Sequence, residues 1–291
     1  ELENAVEVLN FPVILKAVDL MGSRGIFRCD TKEEVFAHYT DTMNATGKDY
    51  CLLEEFIEGT MLGCEAMLSN GKLLYCLPNN IENYPAHVPT PIGHSVPYKK
   101  QDTLGEEVEK QVLLAIRALG MDNCPVNCDL MEKDGKSYVI EITGRAGGNC
   151  LPEMVGIYYG IDYYEAIVRL AMDMQAEELF QDQKNRFQNA AQRKCGERPE
   201  NTDGNLNRVT PNLSHILTSD RDGILKAIHN DNEVSPDLLD LSFNVEPGEE
   251  IRHYENGRDR LGQVIICGET LDACEQRLNE VLSKLNIEFI S

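Results

Sequence analysis

A predicted β-hairpin in the middle of the chain constrains the fold most, because it sets two carboxylates opposite each other. Residues 126–131 and 137–143 read as strands, and residues 132–136 between them have the composition of a hairpin turn. Side chains of a strand alternate between its two faces. One face of the hairpin is therefore apolar, and the other carries Asp129 and Glu141. The residues predicted on the apolar face are Val126, Cys128, Leu130, Tyr138, Ile140 and Ile142.

The register of this hairpin follows from its turn. A two-residue Asp-Gly turn would pair Asp129 with Ile140 and mix the two faces. A three-residue loop with Gly135 in a left-handed conformation pairs Asp129 with Glu141 and keeps the apolar face intact. Because the hydrophobic pattern specifies register, we predict the three-residue loop.

The paired carboxylates need either a cation or solvent. Like charges directly opposite on one face destabilise a sheet. A hard cation reverses the sign of that interaction, and Mg²⁺ prefers paired carboxylates together with water and substrate phosphates. In a chain with a net charge of −22, a solvated acidic face explains the pair equally well.

A glycine-rich turn directly follows the second carboxylate and favours the metal interpretation. Residues 141–149 read Glu-Ile-Thr-Gly-Arg-Ala-Gly-Gly-Asn, so a strand ends in a turn that carries one arginine. Near a metal, Arg145 could clamp an anion and stabilise charge that develops in a transition state. Such turns also occur as plain connections.

A second candidate anion site lies near the start of the chain. Residues 11–17 read as a short strand whose only charged residue is Lys16. The turn that follows contains Gly22, Ser23, Arg24 and Gly25. Its glycines allow backbone N–H groups to surround an anion, while the lysine adds a point charge and the arginine a forked one. The spacing matches neither the Walker nor the Rossmann fingerprint, so an ordinary loop is the competing interpretation.

A third segment, residues 50–59, is an apolar strand that runs into acidic residues. Backbone groups at such a strand exit could hydrogen-bond a nucleotide base, and a carboxylate could bind a ribose hydroxyl. Without context, the segment is an ordinary strand end. Its candidate residues are Glu54, Glu55, Phe56 and Ile57.

In this order and spacing, the three motifs resemble the ATP-grasp superfamily over roughly residues 8–175. The resemblance implies that Lys16 contacts the phosphates of ATP. It also implies that residues 22–25 form a flexible loop over the phosphates and that residues 54–57 form the adenine hinge.

The same resemblance implies that Asp129 and Glu141 are Mg²⁺ ligands and that Arg145 lies near the transferred phosphate and acyl group. The family usually has Asn two residues after the metal Glu, and this chain has Thr143. We include Thr143 in the predicted metal site, although a hydroxyl is a poorer ligand than an amide oxygen. Asn149 is an alternative.

Two further departures from the family pattern concern ribose and the front of the chain. The family often places a ribose-binding carboxylate shortly after the hinge, where this chain has Met61 and Leu62, with Glu58 and Glu65 on either side. Family members also carry about a hundred residues, the pre-grasp domain, before the lysine strand. We therefore expect a trimmed chain, a proteolysed protein or a split subunit.

Composition limits the partners and the compartment. A net charge of −22 disfavours a nucleic-acid partner, and no apolar run approaches the roughly 20 residues that a membrane helix needs. The ten cysteines are scattered without a Cys-x-x-Cys pair, which disfavours a zinc site and suggests a reducing cytoplasm. The expected partners are a small-molecule carboxylate and amine, and a second copy of the chain or a missing N-terminal domain or subunit.

The predicted fold class is α+β, an ATP-grasp core of antiparallel sheets flanked by helices, followed by a C-terminal α+β lid. That last segment resembles the lid of biotin-carboxylase-like and amino-acid-ligase members. The predicted units are a lid subdomain with the phosphate loop and hinge (1–60), a central subdomain with the metal site (61–175), a linker (176–207) and a C-terminal domain (208–291).

Three segments carry specific structural predictions. Residues 79–100 contain four prolines and read as a loop, in which His87 and His94 are surface residues or, alternatively, substrate contacts. Residues 158–174 read as one helical segment, and residues 220–229 read as a helix.

Three functions fit this reading. The leading one is an ATP-dependent carboxylate–amine ligase of amino-acid type that works through an acyl phosphate. The second phosphorylates bicarbonate, as in carboxylases and carbamoyl-phosphate synthesis. The third is a nucleotide-binding subunit without turnover, which Thr143 and the missing front domain motivate.

Overall fold

The computed structural model describes residues 2–20, 24–85, 90–180 and 209–290. The N-terminal unit is a small antiparallel sheet with two helices. Its elements are α1 (Leu2–Val8), β1 (Val13–Lys16), β2 (Ile26–Cys29), α2 (Lys32–Ala45) and β3 (Leu52–Glu55). The strand order is β2-β1-β3, so the predicted lysine strand lies in the centre.

Local sequence explains this unit. Val13 and Leu15 are fully buried and alternate with partly exposed neighbours, as expected for a strand with one covered face. Helix α2 begins after Thr31, whose hydroxyl accepts a hydrogen bond from the Glu34 amide at 3.3 Å.

The rest of the chain is organised around an eight-stranded sheet in which all neighbours are antiparallel. Its strands are β4 (Thr60–Ser69), β5 (Lys72–Tyr84), β6 (Thr90–Val96), β7 (Pro125–Lys133), β8 (Lys136–Thr143), β9 (Asn212–Leu217), β11 (Leu238–Phe243) and β13 (Gly262–Cys267). The order is β11-β13-β9-β6-β5-β4-β7-β8, so strands from the end of the chain continue the central sheet.

Helices cover both faces of this sheet. We call the face that carries Asp129 the site face. Helices α4 (Leu151–Tyr159) and α5 (Tyr163–Ala171) pack on the site face, where Leu151 and Met154 join a core with Tyr75 and Leu77. Helix α3 (Gln101–Leu119) packs on the opposite face, and its stripe of four buried residues is Leu104, Val108, Val112 and Ile116.

The last segment adds a helix and a second small sheet. Helix α6 (Leu271–Ser283) packs against β9 and β13. The small sheet has the order β12-β10-β14 and consists of β10 (Gly223–Asn230), β12 (Glu250–Ile251) and β14 (Leu285–Phe289). The predicted α+β class with a C-terminal α+β segment is confirmed, while the predicted unit limits remain predictions.

Three local predictions are wrong. Most of residues 79–100 is strand, because β6 lies in the middle of the large sheet, hydrogen-bonded to β5 and β9. Residues 220–229 contain β10, which long-range pairing with β14 fixes although its sequence suits a helix. The helical segment 158–174 is two helices, since Gly160 adopts a left-handed conformation with φ of 66°. Among the residues described, no helix combines the length and apolar character needed to cross a bilayer.

Candidate functional site

Strands β7 and β8 hold the two carboxylates opposite each other. Asp129 pairs with Glu141, as predicted. The predicted three-residue loop is wrong, because Lys133 pairs with Lys136 and leaves a two-residue Asp-Gly turn. Both turn residues have positive φ, 53° and 75°, which is the geometry of the tight hairpin turns favoured by right-handed strand twist.

A β-bulge reconciles this tight turn with the carboxylate pairing. The register shifts by one residue between Asp129 and Leu130, because Ile140 is an extra residue on β8. Beyond the bulge, Leu130 pairs with Val139, and Val139 packs against the α3 side of the sheet. Tyr138 is instead 41% exposed on the site face, so its predicted place on the apolar face is wrong.

The electrostatics of this pair are unfavourable without a cation. Asp129 is half-buried, and burial together with the charge of Glu141 raises its pKa to about 6, which Arg145 partly offsets. Glu141 is exposed. Within the four described ranges, neither carboxylate accepts a hydrogen bond.

Thr143 continues the same row of side chains. It pairs with Asn127 across the two strands, and its hydroxyl donates to the Asn127 carbonyl at 3.4 Å. Its oxygen lies two residues from Glu141 on the site face, where it could contribute a weak third ligand.

The glycine-rich turn after β8 lies on the site face. Arg145 is exposed, and its guanidinium donates to the Ala146 carbonyl at 2.7 Å. Its positive charge lowers the pKa of both Asp129 and Glu65. Arg145 therefore acts electrostatically on Asp129, one of the two predicted metal carboxylates.

Sequence reasoning left Glu65 open as a ribose ligand, but the structure gives it another position. Glu65 is fully buried on β4, where Asn127 Nδ2 donates to its Oε1 at 2.8 Å and the Gly147 amide donates to its Oε2 at 3.2 Å. Burial raises the pKa of Glu65 to about 8 despite these two hydrogen bonds. A side chain at residue 147 would lie 2.6 Å from Glu65 Oε1, so glycine is required there for this contact. The competing candidate Glu58 is exposed.

Two more contacts anchor the turn further along the sheet. The Ser214 hydroxyl on β9 donates to the Asn149 carbonyl at 2.8 Å. The Asn149 amide donates to the Pro91 carbonyl on β6 at 3.2 Å. Asn149 therefore connects the turn to β6 and β9, away from the carboxylates on β7 and β8.

Lys16 links the N-terminal unit to this site. Its ammonium group forms an ion pair with Glu54 and lies 3.5 Å from the Ile140 carbonyl, next to Glu141. The side chain is only 13% exposed. The predicted phosphate lysine and the predicted metal site are thus brought together.

The other front residues lie around the same small sheet. Gly25 has a φ of 67°, and its carbonyl accepts a hydrogen bond from the amide that follows Lys16. Arg24 is half-buried, two residues before β2 begins. Gly22 and Ser23, as well as His87, lie outside the described residues.

The predicted hinge is ordered by its own contacts. Glu55 accepts hydrogen bonds from the backbone and side chain of Asn10, at 3.2 and 2.8 Å. The Phe56 amide donates to the Pro12 carbonyl, and the Arg28 guanidinium lies 4.5 Å from the centre of the Phe56 ring. Ile57, half-buried, follows this segment.

His94 departs from its predicted surface position. It is 6% exposed on β6, and its Nδ1 lies 2.9 Å from Asn79 Oδ1 on β5. Burial lowers the pKa of His94 to about 4, so the ring is neutral at physiological pH. Sequence reasoning missed Asn79, because only the strand register shows that it shares a face with Asp129.

The donor set fits a hard divalent cation such as Mg²⁺. Asp129 and Glu141 accept no hydrogen bond from any residue that the structure describes, and Thr143 offers a hydroxyl beside them. In the part of the chain that the structure describes, no three His, Cys, Asp or Glu side chains converge on one point. The remaining ligands would have to be water and substrate oxygens, which is how Mg²⁺ is usually held with phosphates.

Comparisons with known proteins identify the family and the fold. Residues 9–153 match the ATP-grasp domain family, and residues 215–289 match the L-amino acid ligase C-terminal domain 2 family. The structure of phosphoribosylglycinamide synthetase from Anaerococcus prevotii is 36% identical, with a TM-score of 0.73 over 99% of this chain and 67% of that chain.

Two further relatives are more distant. L-amino acid ligase from Bacillus licheniformis is 19% identical, with a TM-score of 0.77 over 99% of this chain and 66% of that chain, and it shows the fold alone. The carbamoyl phosphate synthase large chain of Pseudothermotoga lettingae is 25% identical over half of this chain. The present chain spans only 13% of that large chain. From its matched domain, its fold and its 36% identical relative, the chain belongs to the ATP-grasp superfamily of ATP-dependent ligases.

Proposed function

We propose that the protein is an ATP-dependent carboxylate–amine ligase that works through an acyl phosphate. A substrate carboxylate attacks the γ-phosphate of ATP, which gives the acyl phosphate and ADP. An amine then displaces inorganic phosphate and forms the amide. The observation that carries this proposal is the facing pair Asp129 and Glu141, which accepts no hydrogen bond from the described residues and whose Asp129 feels the charge of Arg145.

The names of one solved structure and of one domain family support an amide-forming reaction. The 36% identical structure is, by name, a synthetase of phosphoribosylglycinamide, and it aligns with nearly the whole chain. The C-terminal segment matches a domain family named after L-amino acid ligases. These names support an amino-acid-type substrate without identifying it.

Each residue in the site has a role in positioning or charge neutralisation. Asp129 and Glu141, with Thr143, would hold Mg²⁺, which when bound neutralises phosphate charge and orients the γ-phosphate. Lys16 and residues 22–25 would orient the phosphates, and residues 54–57 would hold the adenine. Arg145 would stabilise the acyl phosphate and its tetrahedral successor.

ADP release by the intact protein tests this proposal. ATP, Mg²⁺ and panels of amino acids and other small carboxylates and amines are supplied, with hydroxylamine added in parallel to trap an acyl phosphate. We expect ADP formation that requires one carboxylate and yields a hydroxamate with hydroxylamine. ADP formation without any trapped hydroxamate would contradict an acyl-phosphate pathway.

Arg145→Ala tests the residue closest to the proposed chemistry. Loss of one transition-state donor costs roughly 10²–10³ in rate. We expect such a loss in kcat, with Arg258→Ala as a matched exposed control that retains the parent rate. Turnover by Arg145→Ala at the parent rate would remove Arg145 from this role.

A bicarbonate-phosphorylating reaction is the second candidate. The resemblance of half the chain to carbamoyl phosphate synthase large chains favours it. Bicarbonate-dependent ADP release, in the absence of any other carboxylate, would select this candidate over the ligase.

A nucleotide-binding subunit without turnover is the third candidate, and the hydroxyl of Thr143 in place of an amide favours it. Tight ATP binding by calorimetry without ADP formation in the intact protein would select it. The partners that we propose are a small-molecule carboxylate, a small-molecule amine and a second copy of the chain.

A further inference from the structure

A row of polar residues crosses the site face away from the metal carboxylates. Gly63 on β4 pairs with Asp129 on one side and with Asn79 on the other. A Cβ at Gly63 would lie 2.6 Å from Asn79 Oδ1 and 2.9 Å from Asn79 Nδ2. The Asn79 amide therefore occupies the space left by the glycine, one strand away from the strand that carries Asp129.

His94 is the next member of this row. Its Nδ1 lies 2.9 Å from Asn79 Oδ1, and both residues are buried, 1% and 6% exposed. The Asn79 amide is turned so that its carbonyl oxygen faces the ring, and in that orientation Oδ1 accepts and Nδ1 carries the proton. The other nitrogen, Nε2, is then an acceptor, and it bonds to none of the described residues.

Asn79 leaves one of its own polar atoms without a hydrogen bond in this arrangement. Its Nδ2 is buried and finds no hydrogen-bond partner within the described ranges. Buried polar groups are nearly always paired, so an unpaired one in a folded protein requires an explanation. The arrangement gives up one hydrogen bond of Asn79 and fixes the proton of His94 on Nδ1.

The proton-transfer role usual for histidine does not fit here. Burial alone holds the imidazole neutral, and no charged side chain contributes to that effect. A neutral ring with so low an affinity for protons is a weak base, yet it remains a good hydrogen-bond acceptor. A group that carries N–H, such as an amine, is the complementary ligand.

We propose that His94 Nε2 accepts a hydrogen bond from the amine substrate and that Asn79 is a positioning residue that fixes the required tautomer. This inference rests on the proposed ligase function. The hydrogen bond orients the nitrogen lone pair of the amine toward the acyl group held near Arg145. The acceptor therefore favours a nucleophile that carries N–H, such as an uncharged amine, over one that has no donor hydrogen.

Nuclear magnetic resonance of ¹⁵N-histidine-labelled intact protein tests the tautomer directly, without any substrate. We expect His94 to show a protonated Nδ1, as does the reference His215, whose Nδ1 lies 3.0 Å from Glu82 Oε2. Loss of one signal in His94→Gln assigns the resonance. A protonated Nε2 in the parent protein would overturn the proposal.

Variants of Asn79 separate positioning from packing. Asn79→Asp retains an acceptor for Nδ1–H, so the tautomer should remain. Asn79→Ala removes this acceptor, and we expect the proton to move to Nε2. The reason is that the hydrogen bond made by one ring nitrogen decides which of the two nitrogens is protonated. An unchanged tautomer in Asn79→Ala would overturn the role of Asn79.

Kinetics test the contact with the amine. Glutamine places an amide oxygen near the position of Nε2, whereas leucine offers no acceptor. We expect His94→Leu to raise the KM for the amine roughly tenfold, the effect of one lost hydrogen bond, with His94→Gln recovering most of it. Equal values for the two variants, or a change confined to the KM of the carboxylate, would overturn the contact. If no carboxylate–amine pair releases ADP, the proposed function fails while the tautomer result still stands.

Discussion

The carboxylates on the site face differ in whether the protein supplies them with hydrogen-bond donors. Glu65 is buried and accepts a hydrogen bond on each oxygen, from Asn127 and Gly147. Asp129 and Glu141 face each other and, in the described ranges, accept none. Glu65, which we call the tether, is thus bound by donors of the protein and holds the glycine-rich turn. We propose that a cation satisfies the facing pair instead, since like charges directly opposite each other are destabilising without one.

Removing one of the facing carboxylates should have the largest effect on turnover. Asp129→Asn and Glu141→Gln should each lower kcat/KM by more than the roughly 10²–10³ that one lost donor costs, because the cation and the phosphates lose their support. Both variants should unfold at a higher temperature than the parent when Mg²⁺ is absent, since a repulsion is removed. Thermal unfolding with and without Mg²⁺ measures this, with Glu109→Gln, on the solvent-exposed face of α3, as the control. A lower unfolding temperature in metal-free Asp129→Asn would show that the pair is not repulsive.

Replacing Glu65 should lower turnover less than replacing Asp129 or Glu141 does. It should also destabilise the fold, whereas those two substitutions should stabilise the metal-free protein. Glu65→Ala leaves the Gly147 amide and the Asn127 amide without a partner, so it should lower both the unfolding temperature and kcat/KM, the latter roughly 10–100-fold. Glu65→Gln should lose less, because a flipped Asn127 amide can offer its oxygen to the new side chain. Equal losses in the two variants would argue for packing rather than hydrogen bonding.

The pH dependence of stability should separate Glu65 from ordinary acids. Burial raises its pKa from 4.5 to about 8, so the folded state binds more protons than the unfolded state between these values. Stability from this residue therefore falls as the pH rises from about 4.5 to 8. Glu65→Gln should flatten that decline in denaturant titrations, and a parallel pH profile for parent and variant would contradict the raised pKa.

Magnesium binding should weaken in acid because of Asp129. Its pKa is raised to about 6 by burial and by the charge of Glu141, so protons compete with the cation below that pH. Affinity should fall by up to about tenfold for each pH unit below 6 and change little above 7. Calorimetry of Mg²⁺ with a non-hydrolysable ATP analogue measures this, and Glu141→Gln should move the transition to lower pH.

Substitutions of Thr143 should have the smallest effect, and we expect that effect on the affinity for Mg²⁺. Its hydroxyl already donates to the Asn127 carbonyl at 3.4 Å, so it is a weak ligand at best. Thr143→Asn should raise the affinity for Mg²⁺, and Thr143→Val should lower it, each by less than about tenfold. The same calorimetric titration distinguishes them, and identical affinities would remove Thr143 from the metal site.

The fold was predictable where local pattern and pairing agree. The strand that carries Lys16 and the hairpin that pairs Asp129 with Glu141 are both observed. Prediction failed for β6 and β10, because their strand conformation depends on partners far away in sequence. Proline-rich composition and helix-favouring residues gave the wrong local signal there.

The candidate site was predictable in part. Alternation along two strands was enough to pair Asp129 with Glu141, yet the actual turn and the bulge at Ile140 were not foreseen. Glu65 and Asn79 could not be assigned, because their positions follow from the order of β4, β5 and β7 in the sheet. Strand order is a non-local property that a single sequence pattern does not encode.

By itself, the sequence determined the short-range features: two acids on one face of a hairpin, an arginine in the turn after them, and a lysine on a front strand. Periodicity and turn chemistry act over a few residues, so they are readable without a structure. The tertiary structure alone decided which of the remaining acids is tethered, which histidine is buried and neutral, and how Lys16 reaches Ile140 across the two sheets. Those outcomes depend on burial and on contacts between distant segments, which set pKa values and hydrogen-bond partners only after the chain has folded.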